Sequence, residues 1–343
     1  MKQIELGNTG REVSQLALGC MLMGTSTSEG EAHTLLARYL DAGGNFLDTA
    51  NCYAWWAAAS ATGAESENVL GRWLAASGKR HEVFLASKVG GMVRDPAALW
   101  SPSGEVDWPR ARRNYEGAGA ETLRRGIDAS LRRLQTDYLD LYYVHVDDWV
   151  TPLEETLDAL TGLVRAGKVR HIGWSNVRTE RLESIRRLCQ QHGHVAPVAL
   201  QQQHTYLRPR AGLESVSIVD DAQLEHLRRH PELTLVAYSP VLKGVYDDPD
   251  KRRGHWVMES YQGPDSEARL SALARAAREL GVRPNQLVLA WLLQQRSPRV
   301  IPLAGPRTLE QLEQHLEALR IELPPELVAQ LDAVESRAER AAS

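Results

Sequence analysis

The sequence predicts an α/β protein in which eight strand–helix units close into a barrel, preceded by a β-hairpin and followed by one extra helix. Three observations carry this prediction. Short apolar or β-branched runs alternate with segments of helical periodicity, the pattern of βα units on a parallel sheet. The strand-like runs number eight, at residues 16–19, 45–48, 83–89, 140–145, 171–176, 199–203, 233–240 and 299–305. No linker-like tract rich in Pro, Gly or Ser interrupts the chain, so residues 1–343 read as one (β/α)8 TIM-barrel domain.

The elements follow in order. Residues 4–6 and 13–16 flank the turn sequence from Gly7 to Gly10, and the hairpin they predict is placed to plug the barrel's bottom. In the first helix Ala32, Leu35, Leu36, Tyr39 and Leu40 fall on one face, and Gly43 supplies the stop. Another helix is expected from Thr151, with Pro152 in its first turn and Glu154 at capping-box spacing; Leu153, Leu157, Leu160 and Val164 form its buried stripe. Comparable stripes begin at Leu123, Leu182, Leu224, Leu270 and Leu312, and residues 325–334 make the extra C-terminal helix. Two connections, 90–120 and 241–266, are longer than a simple link requires. Both follow strands, the side of such a barrel where loops build substrate pockets.

Composition narrows the function classes. With 43% hydrophobic and 24% charged residues the chain reads as an ordinary globular protein. A net charge of −4 gives no electrostatic reason to expect nucleic acid or an anionic membrane. The N-terminus lacks an apolar signal segment, and the longest later apolar run, 287–293, is too short to span a bilayer, so a cytoplasmic location is expected. Cys20, Cys52 and Cys189 are odd in number and widely spaced, as reduced thiols would be. His145, Asp147 and Asp148 lack further histidines at ligand spacing, so no metal is expected. Gly117 and Gly119 lack the third glycine and the preceding strand of the dinucleotide-fold fingerprint.

In a barrel of this kind the reactive groups stand at the carboxyl ends of strands. Asp48 ends the second strand with Tyr53 a turn beyond, Lys88 ends the third and His145 the fourth. A phenol, an ammonium, a carboxylate and an imidazole together suggest an acid that protonates an oxygen. The phenol's ordinary pKa of about 10 is high for that task, and a neighbouring ammonium is expected to lower it. Asp48 would keep Lys88 from being a bare buried cation, while His145 would orient a carbonyl or share the phenol's proton. Taken singly, such residues also serve as loop caps, solvent-reaching lysines or backbone partners.

At these residues the sequence resembles the aldo-keto reductase family. FLDTANCY (46–53), ASKV (86–89), SLRRLQTDYLDLYYVH (130–145), IGWSN (172–176) and AYSP (237–240) match its signatures in order. The resemblance implies a tetrad of Asp48, Tyr53, Lys88 and His145, a nicotinamide cofactor extended across the barrel mouth, and reduction of a small carbonyl substrate. It assigns Ser175, Asn176 and Gln203 to the carboxamide, Tyr238 to stacking on the nicotinamide, and Ser239 and Leu242 to the pyrophosphate. Residues 305–314, from Gly305 through Arg307 to Gln311, look like the adenosine-phosphate segment, with Arg307 facing a 2′-phosphate and NADP favoured over NAD. Thr308 and Gln311 also have capping-box spacing, which needs no ligand.

Three departures stand out. His315 occupies a place where the family usually has Asn. The connection at residues 54–62 is longer than usual and brings Trp55 and Trp56, expected as apolar pocket walls or as packing on the rim; Trp149 is expected to line or cover the pocket. His204 to Arg208 replaces a more typical polar run. Two rival readings keep the barrel: a Schiff-base aldolase using Lys88, and a non-enzymatic, cofactor-sensing regulatory subunit.

Overall fold

The computed structural model describes residues 1–334. A short antiparallel pair, β1 (Gln3–Glu5) and β2 (Glu12–Ser14), precedes eight parallel strands: β3 (Ala17–Gly19), β4 (Phe46–Asp48), β5 (Phe84–Val89), β6 (Leu139–Val144), β7 (Val169–Ser175), β8 (Ala199–Gln203), β9 (Thr234–Tyr238) and β10 (Val300–Ala304). Strands β3 to β10 pair in chain order and β10 returns to β3, closing the (β/α)8 barrel. All eight expected strands are present. The hairpin pairs Ile4 with Val13.

Side-chain alternation explains how the barrel positions its polar groups. Phe46, Phe84, Leu141 and Ala199 lie in one buried cluster inside the barrel, joined by Leu6 and Val13 from the hairpin, which thereby plugs the bottom. Residues two or four further along the same strands face the same way, so the parity that buries Phe46 and Phe84 turns Asp48 and Lys88 inward at the top. Parallel register sets Asp48 beside Ala86, Lys88 beside Tyr143, and Ser175 beside Gln201.

The helices are α1 (Glu29–Asp41), α2 (Glu65–Ser77), α3 (Trp108–Arg112), α4 (Ala120–Leu134), α5 (Leu153–Arg165), α6 (Thr179–His192), α7 (Asp221–Arg229), α8 (Pro249–Arg252), α9 (Pro264–Leu280), α10 (Pro284–Leu293), α11 (Leu309–Ala318) and α12 (Pro325–Asp332). Helix α12 is the extra C-terminal helix; residues 335–343 of the expected 1–343 domain lie outside the described residues. None of the helices among the described residues is long and apolar enough to cross a membrane. All three cysteines are free and buried.

The expected capping box at Thr151 is corrected. Pro152 is the N-cap of α5, with no side-chain cap, because Thr151 stands one residue too early. Its hydroxyl instead donates to Asp148 Oδ2 at 2.6 Å. A reciprocal capping box does occur at α1, between Ser28 and Glu31.

Helices α2 and α4 pack with their backbones close. Glu67 is wholly buried between them, accepting from Arg133 Nε at 2.7 Å and from Ser87 Oγ at 2.5 Å. Gly71, one turn along α2, has no room for a side chain, since a Cβ there would lie 1.9 Å from the carbonyl oxygen of Arg133. Gly→Ala in a helix interior ordinarily stabilises by about 1 kcal/mol. At Gly71 the clash should reverse that sign and cost about 1–3 kcal/mol. A urea midpoint for Gly71→Ala above that of the parent protein would refute this account of the packing.

Candidate active site

The four groups expected from the strand ends meet at the mouth of the barrel. Lys88, with no exposed surface, donates to Asp48 Oδ1 in a very short contact, to the Thr49 carbonyl at 2.9 Å and to Tyr53 Oη at 2.6 Å. Three acceptors therefore surround an ammonium that has three protons to give. Asp48 is also fully buried, and its second oxygen accepts from Gln201 Nε2 at 2.8 Å. Tyr53 presents its ring to His145 edge to face, with centroids 5.6 Å apart. His145 Nδ1 lies 3.3 Å from Cys52 Sγ.

The electrostatics differ from the sequence expectation in one respect. Burial pushes the Tyr53 phenol up, and the Asp48 charge adds to that rise, so the ammonium does not produce a net lowering. Tyr53 therefore rests as a protonated phenol, with the Lys88 ammonium against its oxygen. Burial disfavours charge on both members of the ion pair, lifting Asp48 and lowering Lys88, and each partner opposes the shift in the other. Burial, followed by repulsion from Lys88, drops His145 to about 3. It is therefore a neutral imidazole at ordinary pH.

These groups form one wall of a cavity of about 1100 Å³, lined by Asp48, Tyr53 and His145 but not by Lys88. Ser175, Asn176, Tyr238, Ser239, Gly305, Arg307 and Gln311 also line it. Asn176 is fixed from both sides, donating to the His145 carbonyl at 2.7 Å and accepting from Tyr238 Oη at 2.9 Å. Gln311 caps as well as lines: its side-chain oxygen accepts from the Arg307 backbone at 2.8 Å, while its own N–H donates to Thr308. Asn176, Ser239, Leu242 and Lys243 adopt left-handed backbone conformations around this cleft, strain of a kind concentrated at functional sites.

Two assignments are corrected. Gln203 does not line the cavity, because its side-chain amide donates to Tyr261 Oη at 2.8 Å; Gln201 lines it instead. Leu242 is buried away from the cavity, and its neighbours Val241, Lys243 and Gly244 line it in its place. The sequence reading also missed Lys243 and Lys251, which reach the cavity from the long 241–266 loop alongside Arg307. Lys243 is lowered by burial and then by repulsion from Arg307 and Lys251. None of the three has an acidic ion-pair partner among the described residues. His315 lines the same end, its Nδ1 buried without a hydrogen-bond partner.

On the opposite side Trp55 and Trp56 line the cavity, as expected for the longer 54–62 connection, and Trp108 joins them. Trp149 lines the rim but is 67% exposed, with the Arg181 guanidinium over its ring.

Comparison with known proteins gives a consistent picture. The family model described as "Aldo/keto reductase family" matches residues 15–336. An uncharacterized oxidoreductase, YrpG of Bacillus subtilis, is 32% identical, with the alignment covering 97% of this chain and 96% of that one. The norsolorinic acid reductase stcV of Emericella nidulans is also 32% identical, over 94% of this chain and 78% of its own. Among solved structures, the thermostable aldo-keto reductase Tm1743 bound to the inhibitor epalrestat superposes with a TM-score of 0.70 at 27% identity, covering 98% of this chain and all of that one.

A pH dependence of stability follows from the buried histidines. Burial holds His145 at about 3 and both His204 and His315 at about 4. Each has a folded value below its unfolded one, so between the two values the unfolded chain binds more protons and stability rises with pH. Their contribution is complete above about pH 6.5 and drains away as pH falls toward 4. The urea midpoint should therefore decline steadily from pH 7 to pH 4. His204→Phe, at a site packed against Trp291, should flatten part of that decline; an unchanged slope would refute the assignment.

Proposed function

Because the chain belongs to the aldo/keto reductase family, we propose that it reduces an aldehyde or ketone to the alcohol, reversibly, using NADPH, with Tyr53 as general acid. One observation carries the reading: the Lys88 ammonium, anchored on Asp48, donates directly to the phenol oxygen of Tyr53 at the cavity wall. Tyr53 gives its proton to the substrate's carbonyl oxygen, and the phenolate left behind is stabilised by the ammonium already in place. Asp48 and Gln201 keep Lys88 oriented, so no rearrangement accompanies the transfer. Neutral His145 offers a hydrogen bond that aims the carbonyl. In the reverse direction the phenolate recovers a proton from the alcohol.

The cavity's other end fits a dinucleotide. Lys243, Lys251 and Arg307 gather there without acidic partners, as a phosphate site requires. Ser175, Asn176 and Gln201 would hold the nicotinamide carboxamide, Tyr238 its ring, Ser239 and Gly305 the pyrophosphate, and Arg307 with Gln311 the ribose 2′-phosphate. When bound, the nicotinamide supplies or takes back the hydride. The cationic cluster is the reason for preferring NADPH to NADH.

The aldolase alternative draws no support from the geometry. Imine formation needs a lysine nitrogen open to substrate, and Lys88 is buried with its donors committed. Borohydride with a carbonyl substrate should therefore leave no adduct on Lys88. A regulatory subunit would bind nucleotide without turnover, and steady NADPH oxidation with simple aldehydes distinguishes the two.

Tyr53→Phe should lower kcat by about 10²–10⁴-fold, the usual worth of general acid catalysis, while NADPH binding measured by fluorescence stays close to the parent value. Full turnover in that variant would remove Tyr53 from its role. Arg307→Ala should weaken NADPH by about tenfold and NADH much less, as befits loss of one charged phosphate contact. Equal weakening of both nucleotides would place Arg307 away from the 2′-phosphate.

A further inference from the structure

The cavity has a second cationic margin that the proposed chemistry does not use. Arg112 and Arg113, at the end of α3, both line it, both are exposed, and neither has an ion-pair partner among the described residues. A helix of five residues has little dipole to account for two arginines at its end. Asp147, Glu116 and Asp148 each bond to other groups. Asp147 pairs with Arg181 at 3.2 Å, and Glu116 with Arg125 at 3.5 Å. Asp148 accepts from the backbone of Ala118 and Val150 and from the Thr151 hydroxyl.

Helix α3 also supplies Trp108. Its ring lies 5.6 Å from that of Trp55 and 5.8 Å from that of Trp56, and Trp55 and Trp56 meet edge to face at 5.9 Å. Tyr115, on the cavity wall two residues beyond Arg113, connects this margin to the reacting end by packing against the apolar cluster that holds Cys52, Tyr53 and Trp55. An aromatic wall thus runs from the acid toward two guanidinium groups without an ion-pair partner among the described residues.

We infer, resting on the proposed carbonyl reduction, that the preferred substrates are flat aromatic aldehydes or ketones bearing a remote anionic group such as a carboxylate, the ring against Trp55, Trp56 and Trp108 and the anion on Arg112 and Arg113. Arginine suits both parts, since its planar fork matches a carboxylate and tolerates an aromatic neighbour. The selection acts through binding: the anion is distant from the bond being reduced and contributes chiefly to KM.

The test compares 4-carboxybenzaldehyde, benzaldehyde and 4-(trimethylammonio)benzaldehyde with the full-length protein and NADPH. The carboxylate should show a kcat/KM about tenfold above that of benzaldehyde, the scale of a charged hydrogen-bonded contact, and the cationic aldehyde should be the poorest. In Arg112→Ala/Arg113→Ala the carboxylate-to-neutral ratio should fall to near one, whereas Arg112→Lys/Arg113→Lys should keep part of it. A parent ratio near one, or a ratio untouched by the alanine pair, overturns the inference. If none of the three aldehydes is reduced, the reductase reading has failed, and tryptophan fluorescence titrated with benzoate then decides the anion site by itself. Quenching lost in the alanine pair supports the site; quenching absent in the parent, or unchanged in the variant, rejects it.

Discussion

A single buried ammonium organises the mouth of this barrel. Lys88 sits where water cannot solvate it, a position that costs several kcal/mol unless opposite charge and hydrogen bonds surround it. Asp48, the Thr49 carbonyl and Tyr53 meet that need at once, and in doing so they fix where each of them must stand. The carboxylate in turn recruits Gln201 from the far side of the barrel. Strands β4, β5 and β8 are therefore tied to one charge, and the phenol lines the cavity together with Asp48 and Gln201.

The cleft above is built from groups that the fold has not otherwise satisfied. Its cationic end repels itself, its loop residues hold left-handed conformations, and His315 keeps a buried nitrogen unpaired. Strain and unpaired polar groups of this kind lower stability and concentrate at functional sites. By contrast, the lower half of the barrel, where the hairpin side chains enter among Phe46, Phe84 and Leu141, is apolar and closed. The two halves divide the work: one holds the structure together and the other remains available for ligands.

Much of this was readable from the sequence, for reasons of period and position. Eight strands announced themselves because buried parallel strands are continuous apolar runs, and their terminal polar residues fell where alternation turns them inward. Asp48, Lys88 and His145 were legible on that basis. Gln203 and Leu242 were misplaced because a motif match carries no information about which neighbouring side chain enters a cavity: Gln203 is diverted to Tyr261 by the long loop, and Leu242 turns into the core from a strained loop position. Lys243 and Lys251 could not be read at all, since a loop without periodicity gives no sign of where its charges will gather. The phenol's upward shift was equally hidden; a pattern reveals the neighbouring ammonium, but only coordinates reveal how completely water is removed.

Cys52 sits against His145, next to the proposed acid. Thiols attack aldehydes as thiolates, and an imidazole at 3.3 Å is the usual partner for making one. Here burial drives the thiol up to about 12 and keeps the imidazole neutral, so neither member will ionise the other. The dryness that surrounds the ion pair thus also holds this sulfur as a thiol, the form that neither adds readily to carbonyls nor reacts readily with oxidants.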